Sequence, residues 1–497
     1  MIPKAGLSDG RRDSARRVSA KIDGYDYYAT FANTVSFDTV RLALSYAAEH
    51  DLNLHTVDVR TAYLNARLED GIEIWMRQPR GYEKTDADGK PLVCKLVKAL
   101  YGLKQGARRW EATLREGLIK LGFKCSHTDA GLFTMTHGGE RIILLVYVDD
   151  IILIDNSESL RKKVLEGIQA KWETTDITAL EWCLGIRIAS DRPNRRVYMS
   201  QSLYIKDTAK KFFPQGLKVG VRPTTPCADD ITKLEKGAPD SDETCEIIDS
   251  YRSLIGALLW VANVSRPDVA YAVSTLSRFT SCPTPAHMKA ALRVLTYLYK
   301  TSDYQLVLGK LTGRPLCGGD VTAPNTLVSF TDSSWGDEKP ASGYACYHKG
   351  ALISWASKRL KTTPLSSCES EYMAATNAAV MVIFIKDLLS DIDPQHAPDM
   401  TKLYCDNSAT CQLSEDAMSG KKVKHAMRKL VYLRELRDEK LLCLRFVSGE
   451  NNMADIFTKP LGGERFKMLC QQLLHTEAQQ VTKESEADDG SEKSSDA

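Results

Sequence analysis

The chain has 497 residues, 43% of them apolar and 26% charged, enough for two to four domains with sizeable cores. Its formal charge of +2 points to no partner by itself, but residues 476–497 hold seven carboxylates against two lysines, a net −5 that leaves the rest at +7. That is a mildly basic body with an acidic tail, a balance compatible with nucleic acid. The 13 cysteines show no zinc-ligand spacing and read as reduced core thiols of an intracellular protein. Met1–Arg17 has no apolar leader, and the runs Ile142–Val148 and Ile151–Ile154 are too short to span a bilayer, so a soluble protein is expected.

Taken in chain order, the first thirty or so residues are polar and without clear periodicity. A helix fits Phe37–His50, with Ser36 as N-cap and Val40, Leu44 and Ala47 on one stripe. A strand follows at Leu54–Val59, then a helix at Arg108–Leu121. Arg141–Ile154 is two apolar runs broken by Asp149-Asp150, the pattern of a hairpin. Helices fit Leu160–Trp172, Ile248–Val264 and Ala286–Thr301, and strands fit near Leu184–Ile188 and Arg196–Ser200. Cys227–Thr244 reads as a surface loop and Gly309–Asn325 as a linker. Beyond it come strands at Leu327–Asp332, Ser342–His348 and Ala351–Ser357, and a long helix at Ser367–Leu389. A strand at Lys402–Asp406, a basic helix at Val423–Leu436 and a strand at Leu442–Val447 complete an α/β order. The tail after Thr476 is expected to be disordered.

Two groups of carboxylates stand out. In Val146-Tyr147-Val148-Asp149-Asp150, two acids lie inside an otherwise apolar hairpin. Two carboxylates about 4 Å apart repel by roughly 4 kcal/mol at an effective dielectric of about 20. A divalent cation is the usual compensation, although Asp-Asp alone also suits a turn. Alternation in Leu54–Val59 puts Asp58 on the face opposite Val57 and Val59. Further on, Asp332 ends an apolar strand face, Glu371 opens a helix of small residues, Asp406 ends a strand and Asp455 follows Asn451-Asn452-Met453-Ala454. Each alone is commonly a cap or turn residue; together they run Asp, Glu, Asp, Asp through the α/β pattern.

Tyr147-Val148-Asp149-Asp150 between two apolar runs matches the polymerase motif of reverse transcriptases. Val57-Asp58-Val59-Arg60-Thr61-Ala62-Tyr63-Leu64-Asn65 and Leu100-Tyr101-Gly102-Leu103-Lys104-Gln105 with Trp110 resemble the copia family of LTR retrotransposon Pol polyproteins. Leu184-Gly185-Ile186, Ser200-Gln201 with Tyr204, Tyr251–Gly256 and Arg266-Pro267-Asp268 follow in the expected order. Thr331–Trp335, Ser342-Gly343-Tyr344, Ile353–Lys358, Glu369–Ala374, Cys405-Asp406-Asn407 and Ala454–Leu461 resemble its RNase H part. The resemblance runs from about Ala15 to Leu461.

The resemblance implies an α+β palm/thumb-like, right-hand reverse transcriptase followed by an α/β RNase H-like domain. Its parts would be a truncated fingers-like region (1–50), a palm (51–215), a thumb/connection-like region with linker (216–325), the RNase H-like domain (326–475) and the acidic tail (476–497). It implies RNA-directed DNA polymerase and RNase H activities by two-metal phosphoryl transfer. Mg²⁺, or Mn²⁺, would be held by Asp58, Asp149 and Asp150 at one site and by Asp332, Glu371, Asp406 and Asp455 at the other. Glu371 is chosen over Glu369 on its Glu-x-x-Ala spacing to Ala374. Tyr63 falls at the family's steric gate, with an ordinary core tyrosine as the plain alternative. Gln105 matches its template- and nucleotide-contacting glutamine. Lys104, Arg108 and Arg109 are open to phosphate contact or to a solvated face, as is the basic helix with Lys421, Lys422, Lys424, His425, Arg428 and Lys429. Partners would be an RNA template, a DNA primer, their hybrid and dNTPs, without a membrane. The location would be a cytoplasmic virus-like particle or the nucleus.

The chain departs from the family in places. The family has a longer N-terminal fingers region before the position of Ala15, and a Gly-x-x-Gln segment between the places of Lys21 and Gly24. It also has Ala-Pro-Val where this chain reads Ala32-Asn33-Thr34-Val35, and Lys-His-Ile-Asp where it reads Lys424-His425-Ala426-Met427; a later histidine is Val431. Fingers grip the triphosphate, so a remnant that binds nucleic acid, or keeps only RNase H activity, is the alternative. No integrase, protease or nucleocapsid motif is visible, which suggests a polyprotein fragment, a degenerate copy or a truncated gene.

Overall fold

The computed structural model describes residues 2–3, 32–69, 71–217, 223–238, 242–311, 327–335, 339–396, 400–415 and 427–476. The region around Ala15, Lys21 and Gly24, most of the linker, Lys421 to His425 of the basic helix and the acidic tail beyond Thr476 lie outside the described residues. The chain forms two compact units: Met1–Met199 with Val307–Lys459, and Ser200–Leu306 with Pro460–Ala497.

The first unit contains α1 (Phe37–Glu49), whose Ser36 side chain accepts from the Thr39 N–H at 3.2 Å, and β1 (Asn53–Asp58). Next come α2 (Gly106–Lys120), β2 (Lys124–Cys125), β3 (Leu132–His137), β4 (Glu140–Tyr147), β5 (Asp150–Asp155), α3 (Glu158–Gln169) and β6 (Thr178–Ala179). These strands make one antiparallel sheet in the order β2-β3-β4-β5-β1-β6. Trp110, Leu114 and Leu118 recur every fourth residue on α2, the helical period that buries one stripe, and pack with Trp172 on Ile142, Leu144, Ile151 and Leu153. Strands β7 (Trp182–Cys183), β8 (Ile186–Asp191) and β9 (Arg196–Ser200) lie in a separate sheet.

The second unit starts with four helices: α4 (Ser202–Phe212), α5 (Asp242–Val264), α6 (Ala270–Ser277) and α7 (Pro285–Lys300). Helix α5 begins inside the stretch Cys227–Thr244 that reads as a loop. Arg266 and Asp268 of the Arg-Pro-Asp motif form a buried ion pair at 2.7 Å, with Tyr297 Oη donating to Asp268 at 2.8 Å and Arg266 to the Thr301 carbonyl at 2.7 Å. Every polar atom of that pair thus has a partner, the condition under which buried charge is tolerated.

The chain then returns to the first unit with β10 (Leu327–Ser333), β11 (Ala341–His348), β12 (Ala351–Arg359), α8 (Ser367–Ile392), β13 (Thr401–Cys405), α9 (Ser408–Glu415), α10 (Met427–Asp438) and β14 (Leu442–Phe446). The sheet order is β12-β11-β10-β13-β14, with the first pairs antiparallel and β10-β13-β14 parallel. Helix α8 is long and apolar enough to cross a membrane by composition, but its Ala374, Ala375, Ala378, Ala379 and Val382 are fully buried against this sheet. The final helix, α11 (Gly463–Leu473), belongs to the second unit. The reason is apolar: Phe466, Leu469, Cys470 and Leu473 are buried, and Phe466 meets the Tyr297 ring edge-on at 5.8 Å.

The sequence suggested one apolar stripe on α1, but Thr39 to Ala47 are all buried, including Arg41. The helix contacts both β12 and α8 within the first unit. Arg41 Nε donates to the Ile353 carbonyl at 2.6 Å, and its guanidinium lies 4.1 Å from the Trp355 ring centroid. Tyr46 Oη donates to Asp393 at 2.6 Å, and Arg141 reaches the same carboxylate at 2.9 Å. Burial alone would raise the Asp393 pKa, but the hydrogen bonds from Arg141 and Tyr46 outweigh it and hold the carboxyl well below its usual range. Its stabilising effect is therefore present above the unfolded pKa and is lost as pH falls. Asp393→Asn should cost roughly 2–3 kcal/mol of unfolding free energy in urea at pH 7, with the loss shrinking below about pH 4.

Candidate active sites

The first cluster is built at a sheet end. Asp58, the last residue of β1, lies directly opposite Asp150, the first of β5. Tyr147 pairs with Asp150 to close the hairpin around Val148 and Asp149. Val148 has φ +60°, a left-handed conformation that a β-branched residue adopts only under constraint. Trp110 Nε1 donates to the Val148 carbonyl at 2.7 Å, and the Val59 N–H donates to the Asp149 carbonyl at 3.0 Å, which pins the turn on both sides. Burial, then the Asp149 charge, raises the Asp58 pKa; burial, Asp149 and Asp58 together raise that of Asp150.

Tyr63 stands in a 3₁₀ turn after β1, its ring centroid 4.6 Å from that of Tyr101. Burial and the Asp149 charge raise both phenols, so both rings border the carboxylates. Tyr63 also packs, partly buried, against the core. Gln105 precedes α2, is 5% exposed, and neither its amide nitrogen nor its oxygen has a hydrogen-bond partner among the described residues. Arg109 is engaged within the fold, donating to the Arg67 carbonyl and to Glu69, each at 3.0 Å.

The second cluster spans the centre of the β10–β14 sheet. Asp332 is on β10, Asp406 follows β13, Glu371 lies in the first turns of α8, and Asp455 opens a 3₁₀ turn. Carboxylate oxygens of Asp332, Asp406 and Asp455 all lie within 4.8 Å of one another. Among the described residues, Asp58, Asp149 and Asp150 do not converge so tightly. Glu371 accepts from the Ser333 N–H at 3.3 Å, whereas Glu369 accepts from the Leu365 N–H at 2.7 Å and serves the start of α8. The geometry brings Glu371 to the cluster, not Glu369.

Electrostatics here are stronger than at the first cluster. Burial, then the Asp332 and Asp406 charges, pushes Glu371 up to about 9. Burial raises Asp332 to about 6 although Lys459 and Thr458 pull the other way, and burial with Asp455 raises Asp406. Lys459 Nζ is 2.8 Å from Asp455 and 3.8 Å from Asp332, and Thr458 Oγ1 donates to Asp332. Four hard oxygen donors, of which Asp332, Glu371 and Asp406 have raised pKa values, fit a divalent cation, which would relieve their repulsion.

Gly343 lies opposite Asp332 in the β10–β11 pairing. A Cβ there would come 2.6 Å from Phe457 Cβ and 2.9 Å from Thr458 Cγ2, so only glycine lets the Asp455 turn sit on the sheet. Gly343→Ala should cost about 1–3 kcal/mol in thermal unfolding. It should also weaken metal-induced stabilisation, because the turn carrying Asp455 must move.

Residues 11–225 match the family model described as reverse transcriptase (RNA-dependent DNA polymerase). The transposon Ty5-1 protein of Saccharomyces cerevisiae is 30% identical over 332 residues, 66% of this chain and 100% of that protein. The chain belongs to the copia-type LTR retrotransposon Pol family. The Retrovirus-related Pol polyprotein from transposon TNT 1-94 of Nicotiana tabacum is 31% identical over 458 residues, 91% of this chain but 33% of that protein. The retrotransposon chain thus spans about a third of the length of such polyproteins. A foamy viral protease-reverse transcriptase, solved in complex with an RNA/DNA hybrid, aligns over 86% of this chain and 47% of its own at 12% identity and TM-score 0.47, too loose a likeness to argue from.

Within this family member, sequence reading passed over Tyr101, Lys459, Thr458 and Asn452. All lie in or beside motifs that were legible, and Lys459 stands four residues after Asp455. A lysine in such a run reads as solvated until the fold turns it onto two carboxylates. Asn452, fully buried, donates to the Thr331 carbonyl at 3.0 Å and accepts from the Ala454 N–H at 3.0 Å, which orients the Asp455 turn.

Proposed function

We propose that this chain is an RNA-directed DNA polymerase with RNase H activity, acting on an RNA template, a DNA primer, their hybrid and dNTPs. The observation that carries the reading is the pair of carboxylate clusters, each at its own sheet, in which burial and neighbouring charge raise Asp58 and Asp150 at one and Asp332, Glu371 and Asp406 at the other. Mg²⁺, with Mn²⁺ as the alternative, would be held by Asp58, Asp149 and Asp150 and by Asp332, Glu371, Asp406 and Asp455, and when bound supplies activation of the attacking oxygen and neutralisation of the leaving one.

The chain's own groups do the positioning. At the first site the Tyr63 and Tyr101 rings, in contact at a tilt of 45°, would wall the nucleotide sugar, so that Tyr63 excludes a 2′-hydroxyl. The unpartnered Gln105 amide offers one donor and one acceptor face to a base or template backbone. At the second site Lys459 offsets part of the charge on Asp332 and Asp455, and Thr458 holds the Asp332 rotamer.

The 497-residue chain should extend a DNA primer on poly(A) RNA and cleave the RNA strand of a hybrid, both only with Mg²⁺ or Mn²⁺. Well-folded protein that does neither would defeat the proposal. A second reading, RNase H activity alone, is favoured by the tighter convergence of Asp332, Asp406 and Asp455. Cleavage without extension would select it.

A further inference from the structure

Beside the four acids of the second cluster lies a sulfur that hard-cation chemistry does not use. Cys405 ends β13, is completely buried, and directs Sγ to Glu371 Oε2 at 3.6 Å. Ligand atoms of Cys405, Glu371 and Asp406 all lie within 4.8 Å of one another. Cys411, on α9, shares a hydrogen bond with the Cys405 thiol.

We propose that Cys405, Glu371 and Asp406 form a binding site for a thiophilic divalent cation, zinc in the first instance, which competes with Mg²⁺ for the second cluster. With Zn–S about 2.3 Å and Zn–O about 2.1 Å, a tetrahedral ion separates sulfur from oxygen by about 3.6 Å, matching the spacing of Cys405 Sγ and Glu371 Oε2. Mg²⁺ and Mn²⁺ gain nothing from a thiolate, whereas a softer ion gains a strong third ligand and leaves the fourth position to water or to the neighbouring Cys411. Binding transfers the Cys405 thiol proton, and the proton of the Glu371 carboxyl, to solvent. Because Glu371 and Asp406 belong to both donor sets, occupancy by zinc withdraws two of the four acids from Mg²⁺. The inhibition, though not the binding, rests on the nuclease reading of this cluster.

The test titrates Zn²⁺ into the chelator-stripped 497-residue chain by calorimetry, and repeats the titration with Cd²⁺ while following the ultraviolet thiolate-to-metal band. Cys405→Ser should lower the affinity of the tight site at least about tenfold and remove one thiolate's share of the band. Cys443→Ser, a buried thiol near the other end of the β13–β14 pairing, should leave both unchanged. Glu371→Gln provides a second variant that removes a ligand from α8 and should weaken Zn²⁺ to a similar degree. Wild-type affinity and band in both Cys405→Ser and Glu371→Gln would overturn the site. In the presence of Mg²⁺, zinc should also suppress hybrid cleavage in wild type more than in Cys405→Ser. Equal suppression in the two proteins would overturn the competition. A chain without cleavage activity would fail the nuclease reading while the calorimetry still decided the site.

Discussion

Asp332→Asn should abolish Mg²⁺-dependent cleavage of the RNA strand, by about 10³-fold or more, while leaving metal-free protein more stable than wild type at pH 8. The two effects have one cause. Asp332 is 2% exposed, and its pKa rises from 3.8 to about 6, burial being the main cause. The folded state therefore holds that proton more tightly than the unfolded state does. Stability lost to the carboxylate grows as pH rises from about 4 to about 6 and stays lost above that. The asparagine variant escapes this cost, so its advantage should be on the order of 2 kcal/mol at pH 8 and vanish below about pH 4. Glu371→Gln should behave alike over a window reaching about pH 9, the value to which Glu371 is raised. Urea melts of each variant against wild type at pH 4, 6 and 8, in chelator, measure the difference and cancel the titration of other groups. An asparagine variant that is less stable at pH 8 would show that Thr458 and Lys459 bind the Asp332 charge strongly enough to outweigh its burial.

Local signals made much of this legible. Helix α1 carries the Ser36 cap, and the strand with Asp58 and the hairpin around Val148-Asp149 follow from alternation and apolar runs. What escaped was set by partners distant in sequence. The full burial of α1 depends on β12 and α8, some 300 residues further on, which no local period encodes. The four acids were readable by order and motif, yet Glu371 is separated from Glu369 only by what each accepts from, the Ser333 N–H against the Leu365 N–H. Helix α4 was missed because its short amphipathic run, Ser202–Phe212, buries little more than Ile205 and Ala209. Helix α11 was missed because its apolar residues pack onto a unit whose other elements end more than 150 residues earlier.

The other large effect is expected at the hairpin. Asp149→Asn should reduce primer extension on poly(A) RNA by about 10³-fold or more and leave hybrid cleavage within about twofold of wild type. Burial first, and then the Asp149 charge, raises the pKa of Asp58 and Asp150 and of the Tyr63 and Tyr101 phenols, so Asp149 is the charge to which all four respond. Removing it eases ionisation of the two remaining carboxylates and so tends to preserve the fold while removing a metal ligand. The backbone of the turn is held through the Val148 and Asp149 carbonyls, which the substitution leaves in place. A loss of extension is therefore a loss of chemistry rather than of hairpin geometry. The Asp332→Asn protein supplies the reciprocal control, since its carboxylate belongs to a different sheet. If the two variants each remove one activity and spare the other, the clusters are independent catalytic centres. Loss of both activities in either variant would instead mean that one cluster supports the other, through the α1 contacts that link the hairpin sheet to β12 and α8.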